Sequence, residues 1–233
     1  MSSLAPNPAP RRHTWRKIGL ISFVVLMCLF GSVVFYGSLF FDLARVPSGS
    51  MANTIVPGDH IAIKTRAYGD IARGDLVVFK YPGDSTNYIG RVIGLPQETI
   101  HIRDQIVLIN NQPLQEERVI VEWREDVDFE PLKELSVQGT GPYRVYYVSR
   151  SEGRLSADDL NSGAYGIAEP YRIPENRYFL MGDNRDNSAD SRHRGTVPRE
   201  LIVGKSTIIY WSSLRDAAGN EAVKWDRIFT RPR

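Results

Sequence analysis

The chain has 233 residues, 42% of them hydrophobic and 24% charged, ordinary proportions for a globular protein with room for one large domain or two small ones. Its formal charge of +2 sits at one end: Arg11, Arg12, Arg16 and Lys17 stand without an acid in the first 41 residues, so the remaining 25 basic residues face 27 acidic ones from Asp42 onward. A nearly neutral body argues against nucleic acid as a partner, because phosphate binding needs a dense basic face. The single cysteine, Cys28, excludes an intramolecular disulfide and a Cys-cluster metal site.

Residues 1–10 are small, Pro-rich and uncharged at their side chains, and with the basic group they make residues 1–17 a tail. From Ile18 to Phe41 run 24 uncharged residues. As a helix this run spans roughly 36 Å, enough to cross a hydrocarbon core of about 30 Å with some tilt. A cleaved signal peptide has a shorter apolar stretch followed by small residues, whereas this one ends in Ser38-Leu39-Phe40-Phe41. Residues 18–41 therefore read as a retained, lipid-embedded transmembrane helix. Four basic residues before it, against Asp42 and Arg45 after it, put the N-terminus in the cytoplasm by the positive-inside rule. The expectation is a single-pass protein of the inner membrane whose 42–233 body is extracytoplasmic.

That body reads as all-β. Short apolar-alternating runs lie at His60–Lys64, Leu76–Lys80, Tyr88–Leu95, Thr99–Arg103, Gln105–Ile109, Arg118–Trp123, Tyr143–Ser149, Arg177–Met181 and Ile202–Trp211. Turn residues separate them, as at Arg103-Asp104 and Asn110-Asn111. The polar, Gly-rich stretch Ser151–Glu169 predicts a surface loop.

Two stretches carry candidate chemistry. Val46-Pro47-Ser48-Gly49-Ser50-Met51 follows the apolar run directly. A Ser-Gly-Ser alone is an ordinary loop. Here a Pro and a Gly bracket the serines, which suits a turn exposing the Ser50 hydroxyl, with its own N–H and the Ser48 hydroxyl near enough to serve a developing oxyanion. The second stretch is Met181-Gly182-Asp183-Asn184-Arg185-Asp186-Asn187-Ser188-Ala189-Asp190-Ser191-Arg192. Its spacing does not match a Ca²⁺-binding EF-hand loop. A buried polar network fits better, with Asp190 and Arg192 as a charge-assisted pair.

Taken in order, PSGSM (Pro47–Met51), RGDLVVF (Arg73–Phe79), RVIGLP (Arg91–Pro96) and GDNRDNSADSR (Gly182–Arg192) resemble the signature boxes of bacterial type I signal peptidases, also called leader peptidases. The resemblance covers nearly the whole chain. It implies an all-β serine endopeptidase domain behind one membrane helix, without metal or organic cofactor. Its partners would be the signal peptides of exported precursor proteins, cut after small, Ala-x-Ala-like residues. By resemblance Ser50 is the nucleophile, Ser48 the oxyanion donor, and Ser188 orients the base. Asp190 and Arg192 brace the site, while Val46, Met51, Tyr88 and Ile89 line the pockets for small side chains.

One departure stands out. The chain reads Tyr88-Ile89-Gly90-Arg91, with Gly90 where the family keeps its general-base lysine, and Gln97 replaces a turn glycine. A serine hydroxyl is a poor nucleophile at neutral pH unless a base takes its proton, and Arg91 stays protonated. Lys64, Lys80 and His193 are the alternative bases. The competing expectation is a catalytically silent, membrane-tethered binder of signal peptides or pilin-like precursors. A β-rich assembly protein of other ancestry is a third.

Overall fold

The computed structural model describes residues 12–66, 69–103, 105–122, 131–149, 167–215 and 220–233. It divides into two compact units, Met1–Phe40 and Phe41–Arg233. Helix α1 (Arg12–Phe40) makes up the described part of the first. Its Lys17–Phe40 stretch is long and apolar enough to cross a membrane, where a helix satisfies its own backbone polar groups. The helix starts six residues before the expected Ile18. It ends at Phe40 because Phe41 is taken by sheet pairing with Lys64.

The second unit is β-rich, as the alternation predicts. In chain order it contains β1 (Phe41–Arg45), β2 (Asp59–Lys64), β3 (Leu76–Phe79), β4 (Tyr88–Gly94), β5 (Thr99–Arg103), β6 (Ile106–Ile109) and β7 (Gln112–Pro113). Then follow β8 (Glu117–Val121), β9 (Glu134–Gln138), β10 (Arg144–Val148), β11 (Ile167–Arg172) and β12 (Arg177–Met181). A one-turn helix α2 (Ser191–Arg194) leads to β13 (Val197–Pro198), β14 (Ile202–Arg215) and β15 (Glu221–Val223). The main sheet has the order β1-β2-β14-β3-β4-β12-β13, with β15 also on β14. Smaller sheets follow the orders β10-β8-β9 and β11-β5-β6-β7.

All nine predicted runs fall on strands, seven with shifted ends, while Thr99–Arg103 and Arg177–Met181 coincide with β5 and β12. Six strands escaped the pattern: β1, β7, β9, β11, β13 and β15. β11 overlaps the end of the expected loop Ser151–Glu169, because Tyr171 and Arg172 pair with Ile100 and Thr99 and draw Glu169 into the strand. Residues 151–166 of that expectation lie outside the described residues, as do Asp104 and Trp123. The predicted turn at Asn110-Asn111 joins β6 to β7 with both residues at positive φ, 52° and 65°, the geometry of a type I′ hairpin. Gln97 also has a positive φ, 67°. This is where the resemblance expects glycine, and a side chain in that region costs roughly 1–2 kcal/mol.

Two clusters position the site. Val46, Met51, Ile55, Ile61, Leu76, Val78 and Ile209 pack together and seat the 46–58 segment on β2, β3 and β14. Ile93, Ile100, Val107, Val145, Phe179 and Met181 fix the C-terminal end of β12 from the other side.

Candidate active site

Ser50 owes its position to its neighbours. Met51 is completely buried, the Val46 N–H donates to the Asp59 carbonyl at 2.8 Å, and the Ala52 N–H donates to Gly49 at 3.0 Å. A residue next to such an anchor in a tight turn is left at the surface, and Ser50 is half-buried. Its Oγ lies 3.4 Å from the Ser48 Oγ.

The segment after β12 comes up against this turn. The Asn184 N–H donates to the Ser50 carbonyl at 3.0 Å, and the Asn184 side-chain amide donates to Gly49 at 3.0 Å. Between them stands Gly182. A Cβ on Gly182 would collide with Ser188 Oγ and with the Ser50 carbonyl oxygen. Glycine is required there because both serines press on the same Cα. The far side is held by β10, whose Tyr146 N–H donates to Asp183 at 2.8 Å and whose Tyr146 carbonyl accepts from Arg185 at 2.9 Å.

Charged pairs lock this arrangement. Arg91, from β4, reaches Asp183 through Nε at 2.7 Å and a terminal nitrogen at 2.6 Å, donates to the Gly74 carbonyl at 2.8 Å, and lies 4.2 Å from the centre of the Tyr143 ring. Thr54 donates to the same carboxylate at 2.7 Å. Asp190 accepts from the Gly182 N–H at 2.9 Å and from the Arg192 guanidinium through both oxygens at 2.9 Å. Burial pushes the Asp190 carboxyl up, but the Arg192 guanidinium outweighs it and holds the group below the usual carboxylate range. Arg185 pairs with Glu116 with both side chains buried.

These elements enclose a groove of about 410 Å³, lined among others by Ser48, Ser50, Gly90, Ser188, Tyr88 and Ile89. Six of the sequence-predicted site residues therefore meet: Ser48, Ser50, Tyr88, Ile89, Ser188 and Asp190. Val46 and Met51 do not line it; they are in the core beneath. Lys64, Lys80 and His193 do not line it either. Lys64 borders a different hollow, with Phe41, Asp75 and Ser206, and Lys80 directs its N–H to Leu201 at the end of β3.

The family model for signal peptidases, peptidase S26, matches residues 16–211. The chain belongs to this family. Signal peptidase I of Buchnera aphidicola subsp. Schizaphis graminum is 32% identical over 216 residues, covering 75% of this chain and 69% of that one. Signal peptidase I of Rickettsia massiliae is 32% identical over 216 residues, covering 82% and 78%. The crystal structure of a signal peptidase I from Enterococcus faecalis is 21% identical, covers 60% of this chain and 98% of that one, and superposes with a TM-score of 0.36. Signal peptidases of this family are serine hydrolases that act on signal-peptide-bearing precursors, and α1 fits a membrane-anchored member.

The sequence reading missed part of the groove. Phe79, Tyr81, Leu180, Met181 and Asn187 also line it. Phe79 ends β3 and Tyr81 follows it two residues later. Their ring centroids are 5.2 Å apart, and Tyr88 stands 6.0 Å from Phe79 and 5.2 Å from Tyr81. Arg91 was dismissed as a base, yet its partner Asp183 makes it the clamp on the Gly182 turn. The spacing from β4 to that turn gave no signal for the pair.

Proposed function

We propose that the groove is the active site of a membrane-bound signal peptidase in which Ser50 is the nucleophile and Ser48 the oxyanion donor. Ser188 stands beside the position of the base, Asp190 and Arg192 brace the turn, and Tyr88 and Ile89 help form pockets for the small residues of an Ala-x-Ala-like site. The anchor places the N-terminus in the cytoplasm and the 42–233 body outside the inner membrane, by the charge distribution around α1. The observation that carries the reading is the meeting of Ser48, Ser50, Ser188 and Gly90 in one groove.

On this reading the groove predicts slow turnover by this chain. Attack by the Ser50 Oγ requires that its proton go to a base. Asp190 is held as a carboxylate by Arg192, and burial, then Asp190, push the Tyr81 hydroxyl toward its protonated form. Gly90 offers no side chain. The missing Cβ would sit 3.3 Å from a Phe79 ring carbon, 3.4 Å from the Met181 carbonyl oxygen and 3.7 Å from the Leu180 Cβ. All three residues line the groove, so a side chain at position 90 would project into it with an adjustment of a few tenths of an ångström.

Gly90→Lys should therefore raise cleavage of a labelled precursor by at least about 10²-fold, the low end of general-base assistance. Ser50→Ala in that background should remove the gain. Equal turnover by the native chain and Gly90→Lys would mean that a base acts from elsewhere. Precursor binding without cleavage by either protein would favour the silent-binder reading, which the glycine at position 90 supports.

A further inference from the structure

Lys64 stands outside the catalytic groove, and its surroundings have a chemistry that the peptidase reading does not use. β1 pairs with β2 so that Phe41 lies opposite Lys64, and β14 pairs with β2 so that Lys205 lies opposite Lys64 on the other side. Side chains directly opposite on antiparallel strands share a face, so these three form a row across the main sheet. Beside the row, Lys64, Asp75, Ser206, Ile208, Arg231 and Arg233 border a hollow of about 670 Å³, a volume within the range of small-ligand sites. All its walls belong to the second unit.

The hollow carries an excess of positive charge. Its one carboxylate, Asp75, is already taken: Lys205 Nζ lies 2.7 Å from it, and the Ala72 N–H donates to it at 2.8 Å. Lys205 also donates to the Asp70 carbonyl at 2.6 Å. Among the described residues, no carboxylate pairs with the side chains of Lys64, Arg231 or Arg233. The Ser206 Oγ is buried and has no hydrogen-bond partner among the described residues. A buried hydroxyl left unpaired calls for a polar partner, and three unpaired cations beside it call for an anion with several acceptor oxygens. The remaining wall is apolar, formed by the exposed Phe41 and the half-buried Ile208 and Pro232.

We propose that this hollow binds the phosphodiester of an anionic glycerophospholipid. Lys17–Phe40 is long and apolar enough to cross a membrane, and Phe41 follows Phe40 directly, with about 3.8 Å between their Cα atoms. Lys64 is therefore paired across the sheet with the first residue beyond the span, at the depth where lipid headgroups lie. Lys64 and Arg231 donate to the phosphate oxygens, and the Ser206 hydroxyl donates to a third acceptor of the headgroup. The glycerol and the start of the acyl chains meet Phe41 and Ile208, while the Lys64 stem lies along the same apolar surface. A zwitterionic headgroup brings its own ammonium against three cations; phosphatidylglycerol brings none. The bound lipid gives the β-rich body an attachment to the membrane surface in addition to α1.

The test uses the full chain in a nonionic detergent, with lipid retention measured by native mass spectrometry, so it reads nothing of precursor cleavage and stands apart from the peptidase reading. Phosphatidylglycerol and phosphatidylcholine are titrated at constant ionic strength. The native chain should hold phosphatidylglycerol more tightly by at least about tenfold. Lys64→Gln with Arg231→Gln should remove at least about tenfold of that affinity, since each basic residue near an anionic lipid contributes roughly a factor of five. Ser206→Ala should weaken retention without lowering Tm, because the deleted hydroxyl has no partner to lose. Arg231→Gln alone, at an exposed position, gives the same direction should the double variant fold poorly. The charge-matched control, Arg103→Gln with Arg172→Gln on the β5–β11 pair, should retain phosphatidylglycerol as the native chain does. Equal retention of the two lipids, a Lys64/Arg231 variant within twofold of the native chain, or an equal loss in the control overturns the site. Displacement of phosphatidylglycerol by inorganic phosphate at matched concentration assigns the hollow to a soluble anion and overturns the lipid.

Discussion

Gly182 is the position where the site is most sensitive to a single methyl group. Alanine there places a Cβ against the Ser50 carbonyl oxygen and the Ser188 Oγ. The first is backbone, tied by the Asn184 N–H at 3.0 Å, and cannot swing aside as a side chain would. The Gly182 N–H is itself fixed to Asp190 at 2.9 Å, so the turn cannot retreat without breaking that bond. Overpacking of this kind costs about 1–3 kcal/mol. For a body of this size each kcal/mol corresponds to roughly 2–4 °C in Tm, so Gly182→Ala should lower Tm by about 2–12 °C. The effect on chemistry should be larger, because relief of the clash drives Ser50 and Ser188 apart and misplacement by about 1 Å costs on the order of 10²-fold. The assay is kcat/KM for a labelled precursor in the Gly90→Lys background, with thermal unfolding of the same samples. Gly90→Ala is the control: its Cβ meets only contacts of 3.3–3.7 Å, and its Tm should stay within about 2 °C of the native value, consistent with a small core adjustment. A Gly182→Ala protein that keeps its Tm and cleaves within twofold of its parent would show that the two serines do not need this spacing.

Two further predictions concern charge and topology. Because the Asp190 carboxyl titrates lower in the folded chain than in the unfolded one, its stabilisation is fully present above the unfolded value of about 3.9 and is lost as pH falls through the folded value; unfolding at pH 5 and pH 3 should show a smaller loss for Asp190→Asn than for the native chain, and parallel losses would refute the coupling. Protease added to spheroplasts should digest the 42–233 body, and protection of that body would refute the proposed orientation.

The alternation of apolar residues located the strands that are buried on one face, because that burial writes a period of two into the chain. It also located β3, buried at all four positions, but only as an apolar run. β9 has all five residues exposed, so nothing in its side chains records that Val119 and Ile120 pair with it. β7, β13 and β15 are two or three residues long, too short for a period to show. The site divides along the same line. Ser48, Ser50, Ser188, Asp190 and Arg192 were legible because each sits in a compact run of unusual composition. Val46 and Met51 were assigned to pockets by resemblance, yet a residue adjacent to an exposed turn is the natural anchor for it, and both are buried. Tyr81 and Arg194 were illegible for the opposite reason. They are 113 positions apart in the numbering, and only the antiparallel placement of β3 and β4, with α2 following β12, brings an arginine over two tyrosine rings.

The identity of residue 90 was readable, but its consequence was not. In sequence Gly90 looks like a simple deletion of function. In the fold it lies in an inner strand between β3 and β12, opposite Val77, where backbone hydrogen bonding to the neighbours fixes the strand whatever side chain is present. The loss of a side chain there leaves the pairing intact and opens space toward the aromatic rings. Glycine in a strand interior is entropically unfavourable by roughly 0.5–1 kcal/mol relative to alanine, and a Cβ would fit with little adjustment. Neither a positive φ nor a forced close approach of backbone requires glycine at this position. Packing therefore does not explain the residue. That contrasts with Gly182, where packing explains it fully, and it is the reason to look for the explanation of Gly90 in what enters the groove.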